Sequence, residues 1–201
     1  MSRKAMRLLL VLILIVAVVW VLSRDALRRV EPVAEVDSAL PCHVYKEHRK
    51  NVDADATVPV LRDQKAPTYK VLDVTDGDTI VIAKDGESRV RLLAMDTPEK
   101  SETRYGYVEY FGEEAWRHAS ALIEESGWHV RITYDKARKD QYGRDLAYVW
   151  LQDGRMLNAL MVADGYAYSY TSSPKPEYVD NFLALMRQAR SRRLGLWGHC
   201  S

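Results

Sequence analysis

The clearest pattern of apolar and polar positions lies between Val71 and Glu99, in VLDVTDGDTIVIAKDGESRVRLLAMDTPE. Val71, Val74, Ile80, Val81, Ile82, Val90, Leu92 and Leu93 are β-branched or large apolar residues. The pairs Asp76-Gly77 and Asp85-Gly86 are hairpin punctuation between them. The pattern predicts a three-stranded meander from Thr68 to Met95. Pro98 is expected to stop its third strand, because it has no N–H to give to a ladder. Folding the hairpins back brings two polar places side by side, the Asp76-Gly77-Asp78-Thr79 turn and the exit Asp96-Thr97-Pro98-Glu99.

Beyond the meander, Lys100 to Phe111 reads as an exposed polar and aromatic loop. Ala115, Trp116, Ala119, Leu122 and Ile123 recur at three- and four-residue spacing, predicting a helix over about 113–125 that Gly127 ends. Trp128 to Tyr134 alternates as a fourth strand, Asp135 to Arg144 reads as a charged loop, and Leu146 to Leu151 as a fifth strand. A short helix over 155–163 follows, then an extended, alternating Tyr166–Tyr170. A last helix covers about 177–192, and Trp197 is placed to cap the core. Short strands interleaved with helices make the fold class α+β.

The N-terminal side has a different character. Residues 1–7 are short and basic. Leu8 to Leu22 is an unbroken run of fifteen apolar residues. A helix spanning a bilayer needs about 17–25 such residues, so the run is a signal-peptide core or a short anchor. No small-residue A-x-A site follows it, which favours an uncleaved transmembrane helix over 8–23. Residues 24–67 form a linker with scattered prolines and no sustained period. Its Val58-Pro59-Val60-Leu61 stretch is expected to pack on the edge of the domain, which is bounded at 68–201.

Composition sharpens the picture in one respect. The chain has net charge +1, but 11 Lys and Arg against 8 Asp and Glu precede Thr68, leaving 18 against 20 from there on. A domain of about −2 does not hold nucleic acid by bulk charge. Any such binding needs a local basic cleft and a cation. The two cysteines, Cys42 and Cys200, do not make a zinc site. Free thiols and a mutual disulfide both remain open.

The chemistry suggested by the residues is that of a hard cation and a phosphate. Carboxylates at the two polar places suit an oxygen-seeking divalent ion. Arg91 in the same meander offers a guanidinium fork to phosphate oxygens. The fragments D-G-D-T-I, R-L-L-A-M-D-T-P-E and Tyr142-Gly143-Arg144 with Leu146-Ala147-Tyr148 resemble, in order and in register from about Thr68 to about Trp197, the staphylococcal nuclease family.

That resemblance implies a five-stranded OB-fold β-barrel with three flanking helices. It implies Asp78, Asp96 and the Thr97 carbonyl as Ca²⁺ ligands, with Asp76 behind them. Glu99 would activate water, and Arg91 and Arg144 would stabilise the charge of the reacting phosphate. Tyr142, Tyr168 and Tyr170 would line the nucleotide pocket. The Lys100–Phe111 loop departs from the family, which is often lysine-rich there; Lys136, Arg138 and Lys139 are candidates for the missing phosphate contacts. The expected function is a Ca²⁺-dependent nuclease of DNA and RNA with little base specificity, leaving 3′-phosphate ends. It would be tethered at a membrane through 8–23, with the domain extracytoplasmic and no obligate protein partner. The rival expectations are a catalytically silent barrel that binds nucleic acid or a partner protein, and a membrane scaffold.

Overall fold

The computed structural model describes residues 56–62, 65–101 and 108–199. The predicted span 8–23, Cys42, Cys200 and most of the linker lie outside the described residues. Among those described, no helix is long and apolar enough to cross a membrane.

The meander forms as the pattern predicts: β1 (Thr68–Asp76), β2 (Thr79–Ala83) and β3 (Glu87–Leu92). Asp85 and Gly86 take φ of 50° and 101° in the second turn, a three-residue loop from Lys84 to Gly86 whose left-handed backbone Asp and Gly adopt readily. Two register irregularities in β1, between Val71 and Asp73 and between Val74 and Asp76, bend it. Its first residues therefore pair with β5 (His129–Lys139), with Thr68 opposite Arg131, while the rest pair with β2. β6 (Asp145–Trp150) pairs with β5 and runs parallel to β3, matching Val90 to Asp145 and Leu92 to Ala147. The order β1-β2-β3-β6-β5 closes into a five-stranded barrel.

Two boundaries differ from the sequence-based expectation. The third strand ends at Leu92, ahead of Pro98, because the chain turns at Ala94, whose φ is 63°. The Ser169 hydroxyl donates to the Ala94 carbonyl over 3.0 Å and the Asn158 amide to the Leu93 carbonyl over 3.1 Å. The chain then makes β4 (Met95–Asp96), which pairs with β7 (Tyr168–Ser169) outside the barrel. The second difference is β5, which continues to Lys139 through the stretch read as a charged loop. Ladder bonds join backbone groups, so polar side chains do not prevent them, and here several are partnered: Asp135 accepts from the Tyr148 hydroxyl over 2.9 Å, and Lys139 donates to Asp145.

Three helices surround the barrel among the described residues: α1 (Gly112–Glu125), α2 (Leu157–Ala163) and α3 (Val179–Ser191). Of the predicted stripe, Ala115, Ala119, Leu122 and Ile123 are buried on α1, and Trp116 is partly buried against the core. Asn158, fully buried on α2, accepts the Val149 N–H over 2.9 Å and donates to Leu93 and Ala147 carbonyls, tying α2 to β6 and to the turn after β3. Trp197 is buried, as expected. The end of the linker does pack on the domain. Leu61 donates its N–H to the Gly154 carbonyl over 2.8 Å, and the Asn181 amide donates to the Thr57 carbonyl over 3.2 Å.

Candidate active site

The turn between β1 and β2 meets the exit of β4 directly. A Cβ on Gly77 would lie 2.8 Å from Thr97 Cγ2, so only glycine allows this approach. Asp78 is 1% exposed. Its Oδ2 accepts the Thr97 N–H over 3.0 Å, and its Oδ1 accepts the Thr79 hydroxyl over 3.0 Å. Asp76 accepts the Asp78 N–H over 3.1 Å, which fixes the turn from behind. The two polar places thus lie side by side, nineteen residues apart in the chain.

Arg91 closes the arrangement. Its Nη1 pairs with Asp78 Oδ1 and its Nη2 with Asp96 Oδ1, so one guanidinium bridges the two carboxylates. Burial works against its charge, but Asp78 and Asp96 more than offset it and raise its pKa. Among the described residues no three acidic, histidine or cysteine side chains close into a ligand cage. The donor chemistry nevertheless fits a hard cation. Asp76, Asp78, Asp96 and the Thr97 carbonyl offer only oxygens. Two carboxylates, Asp78 and Asp96, share the Arg91 guanidinium, and Asp76 and Glu99 act on the same cluster through their charge. Burial, and then Asp76 and Asp96 against the pull of Arg91, raises Asp78 well above the usual carboxylate range.

Glu99 follows at the start of the loop. Its N–H donates to Glu109 Oε2 over 3.0 Å, and its carbonyl accepts from the Glu109 N–H over 3.2 Å. A Cβ on Gly112 would lie 2.3 Å from the Glu99 carbonyl oxygen, so the first residue of α1 is pressed against this backbone. Burial raises the Glu99 pKa, as do Asp76, Asp96 and Glu109, while Arg91 lowers it. The carboxyl therefore feels the same cluster as Asp78.

Beside the cluster opens a cavity of about 370 Å³ lined by Arg91, Arg144, Lys136, Lys139 and Tyr170, with Leu93, Leu146 and Pro174 as apolar wall. Arg91 thus faces the carboxylates and the cavity at once. Arg144 is held by Asp140, whose Oδ2 accepts from Nε over 2.6 Å and whose Oδ1 accepts its backbone N–H over 2.9 Å. Burial of Asp140 is outweighed by these bonds, and its pKa falls below the ordinary value. Tyr170 is half-buried, and its pKa is raised by that burial, against the pull of the Arg91 charge.

The other two tyrosines stand elsewhere. Tyr142 is 75% exposed, with the Arg144 guanidinium 5.6 Å from its ring centroid, and it does not line the cavity. Tyr168 also lies off the cavity; its ring meets Trp197 edge-on at 5.3 Å. Neither Glu99 nor the acid Asp96 lines the cavity itself. Sequence reasoning missed Asp140, although its place four residues before Arg144 was a usable signal. It also missed Glu109 as the clasp on Glu99, and Asp145.

Comparison with known proteins bears on the family. A family model described as staphylococcal nuclease homologue matches residues 89–199. The thermonuclease of Staphylococcus hyicus is 34% identical over 140 residues, covering 69% of this chain and 80% of that protein. The thermonuclease of Staphylococcus intermedius is 36% identical over 136 residues, covering 67% and 79% respectively. Endonuclease YncB of Bacillus subtilis (strain 168) is 33% identical over 157 residues, covering 76% and 72%. With the closed barrel and the acid–arginine cluster in place, these matches lead to one statement: the chain belongs to the staphylococcal nuclease family.

Proposed function

We propose that this protein, a hydrolase of the nuclease class by family, cleaves phosphodiester bonds of both DNA and RNA with Ca²⁺, leaves 3′-phosphate ends, and acts outside the cytoplasm while tethered through residues 8–23. The observation that carries the chemistry is the position of Arg91, on the wall of the cavity and between Asp78 and Asp96. A phosphate entering the cavity meets Arg91 and Arg144 together, both fixed beforehand by carboxylates. Such preorganised guanidinium groups stabilise the negative charge that builds on phosphorus as water attacks. Asp78, Asp96 and the Thr97 carbonyl would hold the cation, which when bound supplies Lewis-acid polarisation of a phosphoryl oxygen. Glu99, its proton affinity raised by burial and by neighbouring acids, serves as the base for the attacking water. Tyr170 and the apolar wall of Leu93, Leu146 and Pro174 suit a nucleoside without reading its base edge. The apolar run 8–22 supports the tether.

The test uses the full chain in membranes, given denatured DNA or RNA from outside with Ca²⁺ or with chelator. Both polymers should be degraded with Ca²⁺ alone, and the fragments should resist 3′ extension until a phosphatase is added. Glu99→Gln should slow cleavage by at least about 100-fold. Equal degradation with chelator, or in the Glu99→Gln variant, overturns the mechanism.

A further inference from the structure

Asp145 is the first residue of β6, directly after Arg144, and its side chain is only 5% exposed. Its two oxygens face different ways. Oδ1 accepts from Lys139 Nζ over 2.9 Å, and the same Nζ donates to the Gly143 carbonyl over 3.2 Å. Lys139 and Asp145 are also paired across the β5–β6 ladder, so this oxygen fastens together the two feet of the loop 140–144. Oδ2 accepts from Lys84 Nζ over 2.6 Å and from the Tyr134 hydroxyl over 2.9 Å. Lys84 follows β2, in the turn to β3, so this second oxygen fastens the loop to the body of the barrel. Within the loop, Asp140 folds the chain back onto Arg144. Lys84 and Tyr134 do not line the cavity, and Lys139 and Arg144 do.

We propose that Asp145 is a positioning residue for the phosphate-binding wall: with Lys84 and Tyr134 behind it, it holds the loop that carries Arg144, and Lys139 beside it, at the cavity. This rests on the phosphodiesterase reading for its effect on rate, but not for its effect on Arg144. A loop held only at its feet moves as a unit if the staple is cut, and a guanidinium displaced by about 1 Å loses about a hundredfold of its effect on a transition state. Phosphate binding suffers less, since Arg91 is anchored independently by Asp78 and Asp96.

The experiment compares wild type with Asp145→Asn, Lys84→Met and Lys84→Arg in the full chain. Two readouts are taken, single-turnover cleavage of a short DNA oligonucleotide and hydrogen exchange at Arg144 Nε, its resonance identified by its loss in Arg144→Lys. Asp145→Asn should lower kcat about tenfold or more with KM changed less than threefold. It should speed Arg144 Nε–H exchange at least tenfold. Lys84→Met should do both more weakly, and Lys84→Arg should restore both. Lys84→Met covers the case in which Asp145→Asn does not fold. Normal exchange at Arg144 in Lys84→Met, or loss of activity with unchanged exchange, overturns the proposal. Faster exchange in a protein whose wild type cleaves nothing leaves the positioning role standing and removes the nuclease reading instead.

Discussion

Thr97 forces residue 77 to be glycine, because a Cβ there would lie 2.8 Å from Thr97 Cγ2 and 2.9 Å from its Oγ1. These atoms belong to a short, buried β-branched side chain, which cannot swing away as the end of a lysine can. The turn that carries Asp78 and the strand exit that carries Asp96 are therefore in contact through a missing methyl group. Gly77→Ala is expected to open this contact and to cost about 1–3 kcal/mol of stability, the range of overpacking a filled site. Because Asp78 accepts the Thr97 N–H, the same change should also weaken nuclease activity beyond its effect on folding. Urea unfolding, together with activity measured well below the unfolding midpoint, separates the two. Unchanged stability and activity would mean that the two turns are not held in this contact. At this scale the sequence was informative about identity: DGDT and DTPE named the acids. It could not show that Arg91 takes both of them at once, because that depends on a strand pairing that sets Arg91 opposite Thr79.

At the scale of the elements, an ionic cluster joins the strands of the barrel wall behind the cavity. Asp145 sits where β5, β6 and the β2–β3 turn meet, and the bonds from Lys139, Lys84 and Tyr134 outweigh its burial and hold its pKa at about 2. An unfolded aspartate titrates near 3.9. The folded pKa is the depressed one, so the carboxylate adds stability above about pH 4 and loses it as pH falls toward 2, with a full value of about 2–3 kcal/mol. The stability gap between wild type and Asp145→Asn should therefore narrow by about 1 kcal/mol between pH 5 and pH 3, and stay flat above pH 5. Denaturant curves at these pH values check it, and a gap independent of pH would remove the cluster from the account. Elements built on local pattern were legible beforehand. The β1–β3 hairpins followed from Asp-Gly pairs between apolar runs, and α1 from its stripe. Elements that depend on distant partners were not. β5 reaches Lys139, past a break in register after Tyr134, because Lys139 pairs with Asp145 on β6, and β4 exists because β7 does. Asn158 in the first turn of α2 carried no sign that it joins three backbone groups. Barrel closure itself came from family resemblance, since periodicity cannot choose which strand edges meet.

Across the whole molecule, the charge balance limits how a polymer is held. From Thr68 onward the chain carries 18 Lys and Arg against 20 Asp and Glu, so no general basic field draws a polyanion in. The cations that face the cavity are Arg91, Lys136, Lys139 and Arg144. Arg91 is shared with Asp78 and Asp96, Lys139 with Asp145 and Arg144 with Asp140; among the described residues, Lys136 alone of the four makes no ion pair. A cation already paired within the protein displaces fewer counterions from a bound phosphate than a solvated one. Single-stranded nucleic acid loses affinity with a slope of about −0.7 per phosphate neutralised on logarithmic axes. Four full contacts would give a slope of about −3, and the internal pairing makes the expected value shallower. Binding of denatured DNA to Glu99→Gln, followed by fluorescence anisotropy from low to physiological salt, measures this slope directly. A value steeper than about −5 would require a second cationic track along the protein and would shift the main substrate grip away from the cavity. A slope of about −3 or shallower keeps recognition where the acids and arginines are, with a few fixed guanidinium groups, and the proposed cation beside them, supplying the attraction that the domain's net charge withholds.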